Sequence, residues 1–355
     1  MMKKVVSLAL SLVLASALSL PAFAAGDTVT TKNVTTNGYT FEITEITNDD
    51  FSITRTYNRS APMTRSISDN EETVALMLSL GYTETEIDNM SEETINAFAT
   101  AKNIYTTTSY TKQNEETNTT VNLPKEVAIQ EAQIISEQQI EYYLNMENNP
   151  TTFGVIENES TTPGEFRDTY MEMTHSALDN GGGDFTYVTD ATWLTMPFFR
   201  GYDSIGSCAK GGAADPFSGD GYFYYYTTTI NGGDIGNPVY SGRQDMLKSE
   251  DTINGDWYGY AGVFNLPNNL YNTQTGFSMI HEDLHAHFSY TGSVTNPQLV
   301  TNFNTNGSYS HATVALEIEP SISIDTSGDV SASIGISVIG TKDVRVAPLK
   351  VTYRP

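Results

Sequence analysis

The 355-residue sequence contains a single cysteine, Cys208, so an internal disulfide is excluded. The fold must therefore be held together by its packed core, and a chain of this length can bury a large one. Gly206, Ser207, Gly211 and Gly212 surround the cysteine. That setting is more typical of a small buried residue than of a catalytic nucleophile.

Basic residues are scarce as well. Lys and Arg together number 18 against 43 Asp and Glu, which gives a formal net charge of −25. Nucleic acid binding is driven by cations that displace phosphate counterions, so this composition excludes a nucleic acid partner. Anionic membrane surfaces are disfavoured for the same reason. Strong acidity instead favours solubility and makes bound divalent cations easy to accommodate.

Long apolar runs are confined to the N-terminus, where residues 5–20 follow a short basic start. This run ends at Pro21, before the roughly 20 apolar residues that a membrane span needs. A small-x-small pattern ending at Ala24 is typical of a signal peptidase site. We therefore expect residues 1–24 to be a signal peptide and the mature chain to be secreted, with no membrane span after cleavage.

Residues 25–160 predict a small mixed domain. An Asn/Asp turn at 48–50 joins two alternating stretches and predicts a hairpin. Capping patterns then predict three short helices, and a longer helix follows to about Asn145; the starts of these helices are marked by Ser68, Thr83, Ser91 and Pro124. Residues 105–122, rich in Thr and Asn, are expected to form a linker or an exposed loop.

Residues 161–355 change character, because short alternating stretches separated by Gly, Asn, Asp and Pro clusters predict strands almost throughout. Many short strands with regular turns are typical of a β-sandwich. The predicted fold class is therefore α+β: a small mixed α/β N-terminal domain followed by an antiparallel β-sandwich. We place the boundary near residue 160, in a polar stretch.

Two segments carry a resemblance to a known group. They are the helical pattern from Leu80-Gly81 to Phe98 and the Trp-x-x-Met-Pro motif Trp193-Leu194-Thr195-Met196-Pro197, followed by Arg200. With these segments the chain resembles uncharacterised secreted proteins of Gram-positive bacteria. The resemblance implies export and the same two-part layout, and it implies no activity.

One stretch formally matches the zinc-peptidase motif H-E-x-x-H, from His281 through Glu282 to His285. On a helix both imidazoles would lie on one face and could bind zinc, with Glu282 as the base that activates a metal-bound water. The flanking residues alternate as in a strand, and Asp283 stands where such helices carry an apolar residue. A zinc metallopeptidase or hydrolase is therefore the alternative function.

A strand at this place would keep some metal chemistry open. Strand alternation would put His281, Asp283, His285 and His287 on one face, where a His-x-His pair can hold zinc if a neighbouring strand supplies a third ligand. His311 is the candidate for that ligand. The competing interpretation is a solvated polar face, and on that interpretation no cofactor is expected.

Tyr222 to Tyr226 form an aromatic run that could stack on sugars, although alternation predicts that two or three of the rings belong to the core. With no convincing catalytic set, we expect a non-catalytic extracellular binding or adhesion module. Its expected partner is an extracellular protein or a glycan.

Overall fold

The structure is a computed structural model, and it describes residues 28–59, 70–114, 117, 119–148, 168–197, 200–231, 234–246, 259–272, 277–299, 301–312, 321–325, 333–337 and 342–355. The signal peptide predicted for residues 1–24, the capping residue Ser68 and the boundary near residue 160 lie outside these ranges. They stay predictions.

Four helices lie in the described chain: α1 Asn70–Leu80, α2 Glu84–Asn89, α3 Glu92–Thr100 and α4 Lys125–Asn148. The predicted capping box begins α2, where Thr83 Oγ1 accepts from the Glu86 N–H at 3.2 Å and Glu86 Oε2 accepts from the Thr83 N–H at 2.7 Å. Ser91 caps α3. These helix predictions are confirmed.

Twenty strands lie in the described chain, and all of their pairings are antiparallel. Their bounds are β1 Thr28–Thr36, β2 Tyr39–Thr47, β3 Ile53–Asn58, β4 Asn103–Asn114, β5 Thr119–Asn122, β6 Asp168–Gly181, β7 Asp184–Trp193, β8 Tyr202–Ala209, β9 Gly212–Ala214, β10 Asp220–Asn231, β11 Asp234–Ile235, β12 Val239–Tyr240, β13 Gln244–Asp245, β14 Gly259–Asn265, β15 Leu270–Asn272, β16 Phe277–Val294, β17 Thr301–Ala312, β18 Ser321–Asp325, β19 Ser333–Ser337 and β20 Lys342–Tyr353.

The strands form a large sheet, a small sheet and a separate hairpin. The large sheet runs β1-β2-β3-β4-β6-β7-β16-β10-β11, with β5, β9, β12, β13 and β15 paired at its margins. The small sheet runs β14-β8-β17-β20, and β18 pairs with β19. The α+β fold dominated by antiparallel sheet is confirmed.

Each face of the large sheet is covered by a different layer. One face packs on the small sheet around Trp193, Phe288 and Tyr309, and we call it the sandwich face. The other packs on α1, α2 and α3 around residues such as Leu76 and Val188, and we call it the helix face. Side chains of the central strands are therefore buried on both sides, which removes the simple alternation of polar and apolar residues.

The expectation of a loop over residues 105–122 is wrong, because β4 and β5 occupy it. β4 lies between β3 and β6, and its residues Thr106, Thr107 and Thr108 are buried. Threonine is β-branched and therefore suits a strand, and its hydroxyl can form a hydrogen bond with a polar side chain on a neighbouring strand. Thr106 and Ser176 show this, with their hydroxyl oxygens 2.8 Å apart.

The pairing of β4 with β6 also joins strands from before and after residue 160 in one sheet, with Asn103 opposite Asp179 and Asn114 opposite Asp168. The division at residue 160 therefore does not correspond to a break in the sheet. As a statement about folding units it stays a prediction.

Candidate functional site

The histidine-rich stretch lies in β16, so the strand interpretation is confirmed and the helical one is wrong. The strand is irregular in its middle. Tyr224 pairs with His285 but Tyr226 pairs with Glu282, so two residues of β16 oppose one residue of β10. Asp283 has a φ of 49°, in the left-handed region. This is a β-bulge, and the extra residue reverses which face each later side chain occupies.

His281 and His285 consequently lie on opposite faces of the large sheet. His281 is on the sandwich face, where its Nδ1 is 2.9 Å from Thr227 Oγ1 and its ring meets Tyr225 edge-on at 4.9 Å. His285 and His287 are on the helix face. The expectation that His281, Asp283, His285 and His287 share one face is therefore wrong.

Glu282 and His311 do not complete a metal site. Glu282 accepts a hydrogen bond from Thr228 on the helix face, away from His281, and burial raises its pKa. His311 lies in the small sheet, with Nδ1 2.8 Å from Asp203 Oδ1, and its strand pairs with β8 and β20 rather than β16. Across the described ranges, no three His, Cys, Asp or Glu side chains are grouped to hold a metal ion. His281, His285 and His311 are therefore not brought together.

A different cluster forms on the helix face, and we call it the acid–histidine crevice: Glu86, Asp190, Thr192, His285 and His287. The capping box of α2 positions Glu86, whose side chain is 6% exposed. Strand β7 contributes Asp190 and Thr192, and β16 contributes the two histidines. Residues that are distant in the sequence thus meet under α2.

Two groups of hydrogen-bonded side chains lie in the crevice. In the first, Thr192 Oγ1 donates to Glu86 Oε1 at 3.2 Å and lies 2.9 Å from His285 Nδ1. In the second, His287 Nδ1 lies 2.7 Å from Asp190 Oδ1. The remaining polar atoms of that pair, His287 Nε2 and Asp190 Oδ2, are buried and have no hydrogen-bond partner among the residues that the structure describes.

Burial sets the protonation states of Glu86 and His285, which belong to the first group. Loss of solvation, with help from Asp190 and Glu172, raises the pKa of Glu86 from 4.5 to about 8. Burial lowers the pKa of His285 from 6.5 to about 4. Glu86 is therefore largely protonated at neutral pH, and His285 is neutral.

Two tyrosine rings close the crevice from the side of β10. Tyr224 stacks on His285 with ring centroids 4.6 Å apart, and Tyr222 stacks on His287 at the same distance. Tyr222 and Tyr224 are buried, as the alternation argument predicted for part of the aromatic run, and so is Phe223. The side chains of the crevice can exchange protons with each other. They contact one another and the tyrosine rings, so little of them is left to contact a substrate.

Sequence reasoning missed Asp190 and Thr192 and used Glu86 only as a helix cap. A signal for Asp190 does exist, since it is a lone acid in the otherwise uncharged stretch Phe185 to Trp193. Its pairing with His287 depends on the order of the strands, which the sequence does not display.

The outer edge of the large sheet carries exposed apolar side chains on its helix-face side, which with two neighbours we call the edge patch: Tyr226, Ile235, Tyr240 and Arg243. Val239, next to Tyr240 in β12, points to the opposite side. Ile235, Val239 and Tyr240 are 51%, 64% and 41% exposed. Tyr240 pairs with Tyr226 in register, with ring centroids 5.5 Å apart, and its hydroxyl donates to Asn89. Arg243 lies over the Tyr222 ring, 3.5 Å from its centroid.

No sequence family and no curated protein matches the chain at a significant level. Solved structures give weak similarities. The collagen-binding subdomain of the Enterococcus faecalis surface protein ACE has 8% identity and a TM-score of 0.21, over 48% of this chain and 88% of that one. A collagen-binding domain from a Staphylococcus aureus adhesin has 8% identity and a TM-score of 0.18, over 36% and 75%. Clostridium perfringens delta-toxin has 10% identity and a TM-score of 0.22, over 52% and 85%.

Within the described parts of the chain, no helix is long and apolar enough to cross a membrane.

Proposed function

We propose that the mature chain is a secreted, non-catalytic binding module that docks an extracellular protein at the edge patch. The patch is the observation that carries the proposal. Exposed apolar side chains are ordinary when scattered, but here Ile235 and Tyr240 are carried by short strands that both pair with β10, and they lie on the same side of one sheet edge.

The chemistry of the patch suits a protein partner. Tyrosine and arginine are enriched at the residues that dominate protein interfaces, because each joins a large contact area to a hydrogen-bonding group. Tyr240 and Arg243 both contact Asn89 of α2, at its side chain and its carbonyl respectively, and this holds them in place before a partner arrives. Less side-chain entropy is then lost on binding.

The enzymatic alternative has less support. The zinc-peptidase motif lies in a bulged strand, and the chemically distinctive groups of the crevice are packed against tyrosine rings. We therefore keep binding as the proposed activity, with a protein ahead of a glycan as the partner.

Binding of the purified chain to immobilised type I collagen and fibronectin tests the proposal. The names of the weakly similar adhesins supply the choice of collagen as a probe and nothing more. We expect saturable binding to one of the two, weakened ~10-fold or more by Tyr240→Ala and by Arg243→Ala, as for interface residues that carry much of the affinity.

Phe217→Ala is the matched control, because Phe217 is 91% exposed and is not part of the patch. It should bind like the unmodified chain. Equal binding by all three variants would contradict the patch as the docking surface, and competition by a soluble oligosaccharide would reassign the partner to a glycan.

A further inference from the structure

Helix α2 is held on the large sheet by few side chains. Of its six residues, only Glu86 and Ile87 are buried. Ile87 packs in the apolar core of the helix face, whereas Glu86 places a carboxyl group in the acid–histidine crevice. A short element with so few buried apolar contacts can open locally at a small cost in free energy.

The same helix supports the edge patch. The Tyr240 hydroxyl donates to the side chain of Asn89, and Arg243 Nη1 donates to the Asn89 carbonyl at 3.4 Å. Asn89 is the last residue of α2, and Glu86 precedes it by about one turn. A movement that takes Glu86 out of the crevice therefore also takes Asn89 away from the patch.

A stack of side chains also joins Tyr240 to Glu86. Tyr240 contacts Tyr224, with ring centroids 5.8 Å apart, and Tyr224 stacks on His285. Thr192 in turn is hydrogen-bonded to both His285 and Glu86. The patch and the buried carboxyl are therefore connected through side chains as well as through α2.

A second stack runs from Arg243 to Asp190. Arg243 lies over the ring of Tyr222, and that ring stacks on His287. His287 is hydrogen-bonded to Asp190. Tyr240 and Arg243, which carry the proposed function, thus contact the two tyrosines that close the crevice. Side-chain packing at the patch therefore depends on packing in the crevice.

The surroundings of Glu86 favour its uncharged form. Burial, together with the nearby acids Asp190 and Glu172, raises the pKa of Glu86 to about 8. Other ionisable groups also surround it on α2 and the sheet, either directly or next to Glu172: Tyr82, Tyr110, Tyr222, Tyr224, His285, His287, Arg55 and Lys125. Burial lowers the pKa of His285 to about 4 and raises the pKa of each of these tyrosines. The imidazole of His285 and the tyrosines therefore stay largely uncharged between pH 5 and pH 8.

We propose that α2 regulates the edge patch by opening away from the sheet when the buried carboxyl of Glu86 gives up its proton to solvent. The open helix lets water hydrate the carboxylate, and the patch then loses the contacts that Asn89 makes with Tyr240 and Arg243. Mild acid therefore keeps the patch in its preformed state. This regulation rests on the proposed function, since it acts on the same docking surface.

The pH range of the effect follows from the two environments of Glu86. Its pKa is about 8 in the closed helix and returns to the ordinary value of 4.5 once the carboxyl is hydrated. Between these values the closed state binds one proton more than the open state. The ratio of open to closed helix should therefore rise ~10-fold per pH unit in this range and level off above about pH 8.

Thiol labelling of a buried cysteine in α2 measures the opening without any partner. Ile87→Cys replaces a buried residue of α2, and Leu76→Cys, in α1 and buried in the same core, is the matched control. Each variant is labelled with dithiodipyridine, which also reacts in mild acid, and peptide masses distinguish the new cysteine from Cys208. Dividing each rate by that of the chain in denaturant at the same pH removes the effect of thiol ionisation. Thermal unfolding checks that each variant folds, and Met90→Cys, at the end of the same helix, replaces Ile87→Cys if that variant does not.

The corrected labelling rate at Ile87→Cys should rise ~100-fold between pH 5.5 and pH 8, and the rate at Leu76→Cys should change little. Adding Glu86→Gln should remove the rise, because the glutamine side chain has no proton to lose. A flat rate at Ile87→Cys, an equal rise at Leu76→Cys, or a rise that survives Glu86→Gln would overturn the proposal.

Binding to immobilised collagen or fibronectin then tests the connection to the patch. The unmodified chain should bind ~3-fold or more tightly at pH 5.5 than at pH 8, because only the closed state is preformed, and Glu86→Gln should bind equally at both. Binding that does not depend on pH, although α2 opens, would overturn regulation of the patch. Absence of binding at pH 5.5, with the labelling as expected, would contradict the proposed function alone, so the two failures are distinguishable.

Discussion

His281 and His285, four residues apart in one strand, lie on opposite faces of the large sheet. A β-bulge makes this possible, because β16 has one residue more than β10 at this place. The left-handed backbone of Asp283, with a φ of 49°, accommodates the extra residue. Aspartate is among the few residues with a side chain that adopt this conformation readily. The bulge therefore separates two imidazoles that the sequence motif would have brought together.

Replacing Asp283 with valine should lower the free energy of unfolding by about 1–2 kcal/mol, because a β-branched residue is strained at positive φ. Asp283→Asn, which tolerates the same conformation, is the control and should differ little from the unmodified chain. Urea unfolding measures both. If valine proved as stable as asparagine, the bulge would not lie at residue 283.

Glu86→Gln should flatten the dependence of stability on pH. Folding raises the pKa of Glu86 from 4.5 to about 8. Its contribution to the stability of the fold is therefore fully present below pH 4.5 and is lost as the pH rises through about 8. Glutamine is neutral at every pH and still completes the capping box. We expect the variant to melt ~2 °C or more above the unmodified chain at pH 9, but not at pH 5.

The matched control for this prediction is Glu84→Gln, an exposed glutamate in the first turn of the same helix. It should follow the unmodified protein across the pH range. Parallel curves for the unmodified chain and Glu86→Gln would contradict a buried, protonated Glu86.

His175 should contribute to unfolding in acid. It is fully buried between the sheets, with Nε2 2.9 Å from Thr305 Oγ1 and Nδ1 2.9 Å from Thr189 Oγ1, and burial lowers its pKa from 6.5 to about 3. A lowered pKa gives stability that is present above pH 6.5 and is lost as the pH falls toward 3. His175→Gln should therefore show a shallower loss of unfolding free energy between pH 6.5 and pH 4, measured in urea. An unchanged slope would contradict the assignment.

Cys208 should be unreactive in the folded chain. It is buried in β8, and burial raises the pKa of its thiol from 9.0 to about 12, so the reactive thiolate is rare. A chromogenic thiol reagent should label it at less than ~1% of the rate of a free cysteine at pH 8, and labelling should become complete in denaturant. Fast labelling of the folded protein would contradict this prediction and would make Cys208 a candidate nucleophile.

Patterns of neighbouring residues in the sequence predicted much of the secondary structure. Thr83 with Glu86 and Ser91 mark helix starts in the sequence, because a side chain that caps a helix lies within three residues of the group it satisfies. The alternation on either side of residues 48–50 likewise predicted the β2–β3 hairpin. The strand at residues 103–114 was missed, because its two buried faces remove the alternation by which strands are recognised.

The sequence by itself determined the acidic composition, the absence of an internal disulfide, the helix starts and the β-rich second half, since each depends on composition or on neighbours in the chain. Tertiary structure alone decided which side chains meet. Glu86, Asp190 and His287 come together only because β7, β16 and α2 are neighbours in space. His281 leaves that group because one residue adopts a left-handed backbone. Strand order and bulges arise from packing across the whole sheet, and a five-residue motif does not contain that information.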